Sequence, residues 1–163
     1  MNAPSQTGNR RVVNASGVAA RWLLGALFVY LGLSKALHPV EFLKLVRQYD
    51  LLHTPFLLNS SAAALPWFEI FCGMLLLLGI AVRGTALMLI FMLVPFTWAV
   101  FHRALALHSA LAIPFCAVKF DCGCGTGEVF ICRKLAENLV LLLLSGWLLS
   151  GWGQKLCARH TLV

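Results

Sequence analysis

The chain contains little charge. Only 12% of its 163 residues are Asp, Glu, Lys or Arg, whereas a soluble domain carries about 25% charged residues. Hydrophobic residues make up 60% of the sequence. This composition excludes an ordinary soluble domain and predicts a membrane protein, and the length suits one compact unit.

Acidic residues are scarcer than basic ones. The sequence contains six Asp and Glu residues and thirteen Lys and Arg residues, which gives a formal net charge of +7. The sequence has no run of Lys and Arg and no basic patch interleaved with aromatic residues, so the positive charge does not indicate nucleic acid. Basic residues that flank membrane spans and meet anionic headgroups explain the charge better. We therefore expect membrane lipid, and no nucleic acid, as a partner.

We also expect no cleavable signal peptide. The first fourteen residues are polar, the first apolar run begins near Val18, and no clear cleavage site of small residues follows that run. We expect an uncleaved signal anchor. We predict a disordered cytoplasmic head at 1–16, a membrane domain at 17–152 and a cytoplasmic tail at 153–163.

Four apolar runs have the length and composition of membrane spans. They cover residues 17–36, 61–82, 85–101 and 135–152, and His102 and Arg103 are expected to end the third. An amphipathic helix at 40–52 is predicted to lie in the interface. Residues 104–118, which Pro114 interrupts, are predicted to be interfacial or re-entrant. The predicted fold is all-α, a four-helix transmembrane bundle with an extracytoplasmic cap that carries the amphipathic helix and a Cys-Gly-Cys turn.

Small residues on two of the predicted spans are candidates for close helix packing. Gly25 and Gly32 lie on the first span, and Gly146 and Ser150 lie on the fourth. Glycine and serine let the backbones of membrane helices approach each other.

Residues 120–127 read Phe-Asp-Cys-Gly-Cys-Gly-Thr-Gly. Three glycines within five residues predict a turn. A disulfide between Cys122 and Cys124 would close a small strained ring, which is easier to reduce than an ordinary disulfide. A redox pair and a structural disulfide fit these residues equally well. A zinc site fits less well, because the one-residue spacing is tighter than the usual spacing of zinc ligands, and we predict no metal.

Cys116 and Cys132 flank this pair on either side. Four cysteines allow three complete pairings, and the sequence does not choose among them. One scheme makes Cys122 and Cys124 the labile redox pair and Cys116–Cys132 a structural or resolving pair. In another scheme, two inert disulfides hold the loop together and neither takes part in redox chemistry. Cys122 and Cys124 are the catalytic candidates under the first scheme.

Glu69 is the one acidic residue inside a predicted span, and such a residue needs a partner. Lys35 ends the first span on the same side of the membrane. We predict an ion pair between the two that holds two helices together rather than a proton relay.

Four spans place both termini on one side of the membrane. The Lys and Arg contents of the two sides are nearly equal, but the acids fall on or toward the side of the cysteine turn. We expect cytoplasmic termini and a cysteine turn that faces an oxidising space, where disulfides persist.

The order of residues over 21–152 resembles that of the DoxX-like membrane proteins. The turn Asp121-Cys122-Gly123-Cys124 before a final span resembles their branch named for the methylamine-utilisation protein MauE. The positions that carry the wider resemblance are Arg21, Gly25, Phe28, Gly32, Lys35, Pro39, Phe42, Tyr49, Leu65, Pro66, Glu69, Gly73, Gly79 and Arg83.

This resemblance implies a four-helix protein of the bacterial inner membrane that helps to mature a disulfide-rich dehydrogenase subunit. A thioredoxin-like periplasmic protein and an exported client are the implied partners. No cofactor is predicted: a quinone is possible, but no residue pattern in the sequence supports one. The expected function is that of a thiol–disulfide redox accessory. The alternatives are a non-enzymatic assembly or transport factor with structural disulfides, and a quinone-linked thiol oxidase. The last expects a Cys-x-x-Cys near a span end, which this sequence lacks.

Overall fold

The structure is a computed structural model that describes residues 5–48, 54–121 and 128–150. The described part is mostly helical. Its helices are α1 (Ser5–Leu37), α2 (Pro39–Gln48), α3 (Pro55–Leu78), α4 (Val82–Leu111) and α5 (Ile131–Leu149). A short 3₁₀ turn, Phe115–Ala117, and two strands, β1 (Lys119–Asp121) and β2 (Glu128–Phe130), lie between α4 and α5.

Three helices are long and apolar enough to cross a membrane. They are the segment Ser16–Leu37 of α1 and the whole of α3 and α4. The chain is therefore a multi-pass membrane protein. Helix α5 has only 19 residues, and its first two turns carry Arg133, Lys134 and Glu137. Because of these charges, α5 is not among the three candidate spans. The sequence nevertheless predicts a fourth span in this region.

Helix α1 begins at Ser5, within the head that the sequence predicts to be disordered. The structure thus describes residues 5–16 as helix, where the sequence predicts disorder. The polar residues before Ser16 continue the apolar helix, because each residue added to an existing helix gains one hydrogen bond without a new nucleus. The predicted tail, 153–163, lies outside the described residues.

Helix α4 differs most from the prediction. It runs without a break through His102 and Arg103 to Leu111, so residues 104–111 extend the third span and do not form a separate interfacial segment. These residues are mainly Ala and Leu, which favour helix, and two charged or polar side chains do not end it. Thirty residues span about 45 Å, whereas the hydrocarbon core is about 30 Å thick, so one end of α4 extends beyond it. The helix ends at Ala112, which has a positive φ of 52°.

Helices α1 and α3 pack through glycine. A Cβ atom added at Gly25 would lie 2.9 Å from the carbonyl oxygen of Gly73, and one added at Gly32 would lie 2.7 Å from that of Pro66. These positions confirm the close contact predicted for Gly25 and Gly32. The prediction for Gly146 is wrong, because a Cβ there would meet nothing within 4 Å. Ser150 only donates a local hydrogen bond to the Trp147 carbonyl.

The described residues form two apolar clusters. The larger one joins the spanning helices and α5, with Leu24, Phe28, Leu76, Leu89 and Leu148 among its buried members. The smaller one consists of Val100, Ala104, Val118 and Ile131, and it lies between the far half of α4 and the start of α5. Large apolar side chains also remain exposed on the outward faces of α3 and α4, where a bilayer would cover them.

The two strands form an antiparallel hairpin, so the fold is not purely α-helical. Lys119 pairs with Phe130, Phe120 with Val129, and Asp121 with Glu128. Aromatic and β-branched residues favour strands, and they occur here on both sides of the glycine-rich segment. The predicted Cys-Gly-Cys turn itself, within 122–127, lies outside the described residues. The predicted amphipathic helix is present as α2, with Phe42 buried.

Substitution of Gly25 by Ala is expected to lower the melting temperature in detergent, because the new methyl group would push α1 away from the α3 backbone. Gly146→Ala is the matched control. It adds the same methyl group to open space in α5, so we expect no loss or a gain of about 0.5–1 kcal/mol. Equal melting temperatures for the two variants would contradict the close contact of α1 and α3.

Candidate functional site

A disulfide joins Cys116 to Cys132. Cys116 lies in the 3₁₀ turn that precedes β1, and Cys132 is the second residue of α5. Their Cα atoms are 5.1 Å apart, and 16 positions separate them in the sequence. The disulfide therefore closes the base of the hairpin, and this bond occurs in only one of the three complete pairings that the sequence leaves open.

Apolar contacts and backbone hydrogen bonds fix the hairpin at the same place. Val118 and Ile131 are fully buried, and the Ile131 N–H donates to the Val118 carbonyl at 3.1 Å. The rings of Phe101 and Phe115 meet edge to face, with centroids 6.0 Å apart, which ties the 3₁₀ turn to α4. The base of the hairpin is thus attached to both neighbouring helices.

The two predicted catalytic residues, Cys122 and Cys124, lie outside the described residues. In the sequence they fall between Asp121 and Glu128, which are the last paired residues of the hairpin. Their segment therefore connects the two paired strands. Cys72 is a free cysteine buried in α3, away from the hairpin segment in sequence.

Lys35 and Glu69 form a second candidate site within the spanning helices. The Lys35 ammonium donates to Glu69 Oε1 at 2.5 Å, and the two side chains are only 7% and 6% exposed. The glycine contact brings them together, because a Cβ at Gly32 would lie 3.0 Å from the Cβ of Glu69. The Lys35 ammonium also lies 5.5 Å from the centre of the Phe42 ring on α2.

Helix α5 adds polar groups that the sequence analysis missed. Lys134 and Asn138 are buried, and the Asn138 amide donates to the Thr97 hydroxyl of α4 at 3.2 Å. The Lys134 ammonium lies 3.7 Å from Glu137 Oε2. The sequence does contain an indication of this pair. Lys134 and Asn138 are four residues apart, so they share one helix face at the start of an apolar run.

A cavity of about 620 Å³ connects these polar groups. All five helices contribute to its wall. Its polar residues are Lys35, Ser61, Glu69, Lys134 and Asn138, and apolar side chains form the rest of the wall. Glu69 Oε2 is enclosed, and none of the described residues donates a hydrogen bond to it. The cavity thus combines a polar region with a large hydrocarbon surface.

A family model described as methylamine utilisation protein MauE matches residues 13–151. The chain belongs to the MauE family. No curated protein and no solved structure matches the chain.

The MauE match covers both candidate sites. It includes the hairpin with its four cysteines, and it includes Lys35, Glu69 and the rest of the polar cavity wall. Family membership together with the apolar helices supports a membrane protein of methylamine utilisation. Within this MauE-family chain, the Cys116–Cys132 disulfide lies at the hairpin, whereas the buried ion pair lies at the cavity.

Glu69→Gln and Lys35→Met are each expected to destabilise the protein by about 3 kcal/mol, because loss of one partner leaves the other charge buried without compensation. The double variant should recover part of this loss. Thermal unfolding in detergent, analysed as a double-mutant cycle, measures the coupling. Strictly additive losses would show that the two residues do not stabilise each other.

Arg133→Met serves as the control for this cycle. Arg133 also donates to a carboxylate, that of Glu137 at 2.9 Å, but its side chain is 76% exposed. An exposed pair four residues apart on a helix contributes only about 0.3–0.5 kcal/mol. A loss at Arg133 as large as that at Lys35 would mean that burial does not set the strength of the interaction.

Proposed function

We propose that this chain is a membrane-bound thiol–disulfide redox accessory that assists the maturation of an exported, disulfide-rich client in methylamine utilisation. The observation that supports it best is the hairpin: the Cys116–Cys132 disulfide closes its base, and the segment between its strands contains Cys122 and Cys124. Family membership supports the link to methylamine utilisation.

The proposed site lies on the outer side of the bacterial inner membrane. Disulfides persist in oxidising compartments, so the Cys116–Cys132 disulfide supports a periplasmic hairpin. In this arrangement α5 is the fourth span of a four-helix transmembrane bundle, the hairpin and α2 form its outer cap, and both termini are cytoplasmic.

Thiol–disulfide exchange requires no other oxidant at the client. A client thiolate attacks the Cys122–Cys124 disulfide, forms a mixed disulfide, and a second client thiolate resolves it. The client gains a disulfide, and Cys122 and Cys124 gain two electrons and two protons. The disulfide of a thioredoxin-like periplasmic partner then reoxidises the pair by the same exchange. Transfer in the opposite direction would use the same groups.

A second candidate function has its own support. Cys116–Cys132 joins two segments that already pack on the buried residues Val118 and Ile131, as a structural disulfide does. If Cys122 and Cys124 also serve only structure, the chain is a non-enzymatic assembly or transport factor whose hairpin holds the client.

Cys122→Ser or Cys124→Ser is expected to abolish client maturation without changing the melting temperature. Cys116→Ser and Cys132→Ser are the matched comparison, since loss of a disulfide that closes a loop of this length costs about 3 kcal/mol. Maturation is measured as the active, oxidised client in the periplasm, and stability by thermal unfolding. Normal maturation in both Cys122→Ser and Cys124→Ser would exclude the redox function and favour the assembly factor.

A reporter enzyme that is active only outside the cytoplasm should be active when fused at Gly127 and inactive when fused after Val163. The reason is that an even number of spans places both termini opposite the hairpin. Activity in cells expressing each fusion checks this directly. The reverse pattern would place the hairpin in the cytoplasm and remove the oxidising environment that the redox function requires.

A further inference from the structure

We propose that the cavity beside Lys35 and Glu69 binds a lipid-soluble quinone. This inference does not depend on the proposed thiol chemistry, because quinone binding requires none of the hairpin cysteines. The cavity has a volume of about 620 Å³, which is within the usual range for a small-molecule site, about 300–1,000 Å³.

The cavity is accessible from the hydrocarbon region. Ala64 and Phe68 of α3 and Phe91 of α4 line it, yet all three are exposed, and Phe91 is 76% exposed. Both helices are candidate membrane spans, so the exposed wall of the cavity faces the acyl chains of a bilayer. A ligand that reaches the cavity by this route is soluble in the membrane.

The apolar wall suits a planar ring. Aromatic rings pack favourably on other rings, and the thioether of methionine adds favourable contacts with ring edges. Two methionines, Met88 and Met92, face the cavity together with five phenylalanines, which are Phe28, Phe42, Phe68, Phe91 and Phe96. A simple alkyl chain would not require so many aromatic contacts.

The polar wall suits a neutral head with oxygen acceptors. Lys35 contacts Glu69, and Lys134 lies 3.7 Å from Glu137, a carboxylate that also accepts from Arg133 at 2.9 Å. Ammonium groups and the Asn138 amide carry several N–H donors each, and the carbonyl oxygens of a quinone accept such bonds without a charge. N–H donors beside a wall of aromatic rings favour a quinone over a fatty acid or a phospholipid, whose chains carry no ring.

The test uses an azido-substituted ubiquinone analogue with the full chain in lipid nanodiscs. After illumination, mass spectrometry maps the labelled peptides. We expect labelling of the α3 and α4 segments around Ala64 and Met88, and we expect excess decylubiquinone to suppress it. Decylbenzene has a ring and the same alkyl chain but no carbonyl oxygen. Labelling that is spread over the lipid-facing surface, or that decylbenzene suppresses equally well, would overturn the proposal.

Two adjacent alanines provide matched variants. Ala64 lines the cavity, whereas its neighbour Ala63 is exposed and does not. Ala64→Phe should fill the cavity and remove the specific labelling, and Ala63→Phe should leave it unchanged. Cys122→Ser should also leave it unchanged, so failure of the redox function is distinguishable from failure of quinone binding. Equal labelling of the two alanine variants would place the bound quinone elsewhere and overturn the proposal.

Discussion

The buried ion pair between Lys35 and Glu69 imposes the strictest constraint on this structure. A charge inside the hydrocarbon region is costly unless an opposite charge contacts it, so the two side chains must meet. They belong to different helices, and they meet because α1 and α3 approach to near backbone contact at Gly25, Gly32 and Gly73. The position of α1 on α3 therefore follows jointly from glycine packing and from charge.

Helix α5 connects this interior to the hairpin. Its first turns contain Cys132, which forms the disulfide, Lys134, which faces the cavity, and Asn138, which donates to Thr97. The first two turns of α5, which carry its charged residues, are thus the part of the helix that contacts both candidate sites.

The length of α4 explains the position of the hairpin. The helix continues about two turns beyond Arg103, and its far half packs on Val118 and Ile131 at the base of the hairpin. The chain then returns through two short strands, and the disulfide attaches this return to α5. The base of the hairpin is consequently attached to both α4 and α5.

Hydropathy along the chain was enough to predict a membrane protein, the three apolar spans and the amphipathic α2. The reason is that the bilayer constrains the length and composition of each segment, whatever other helices that segment contacts. A single acid within a span also identified Glu69, and the end of the first span identified Lys35. Contacts between distant residues required the tertiary structure. Only packing distinguishes Gly25, which meets the α3 backbone, from Gly146, which meets open space. The pairing of Cys116 with Cys132, the burial of Lys134 and Asn138, and the cavity they line likewise depend on how five helices meet, which local composition does not encode.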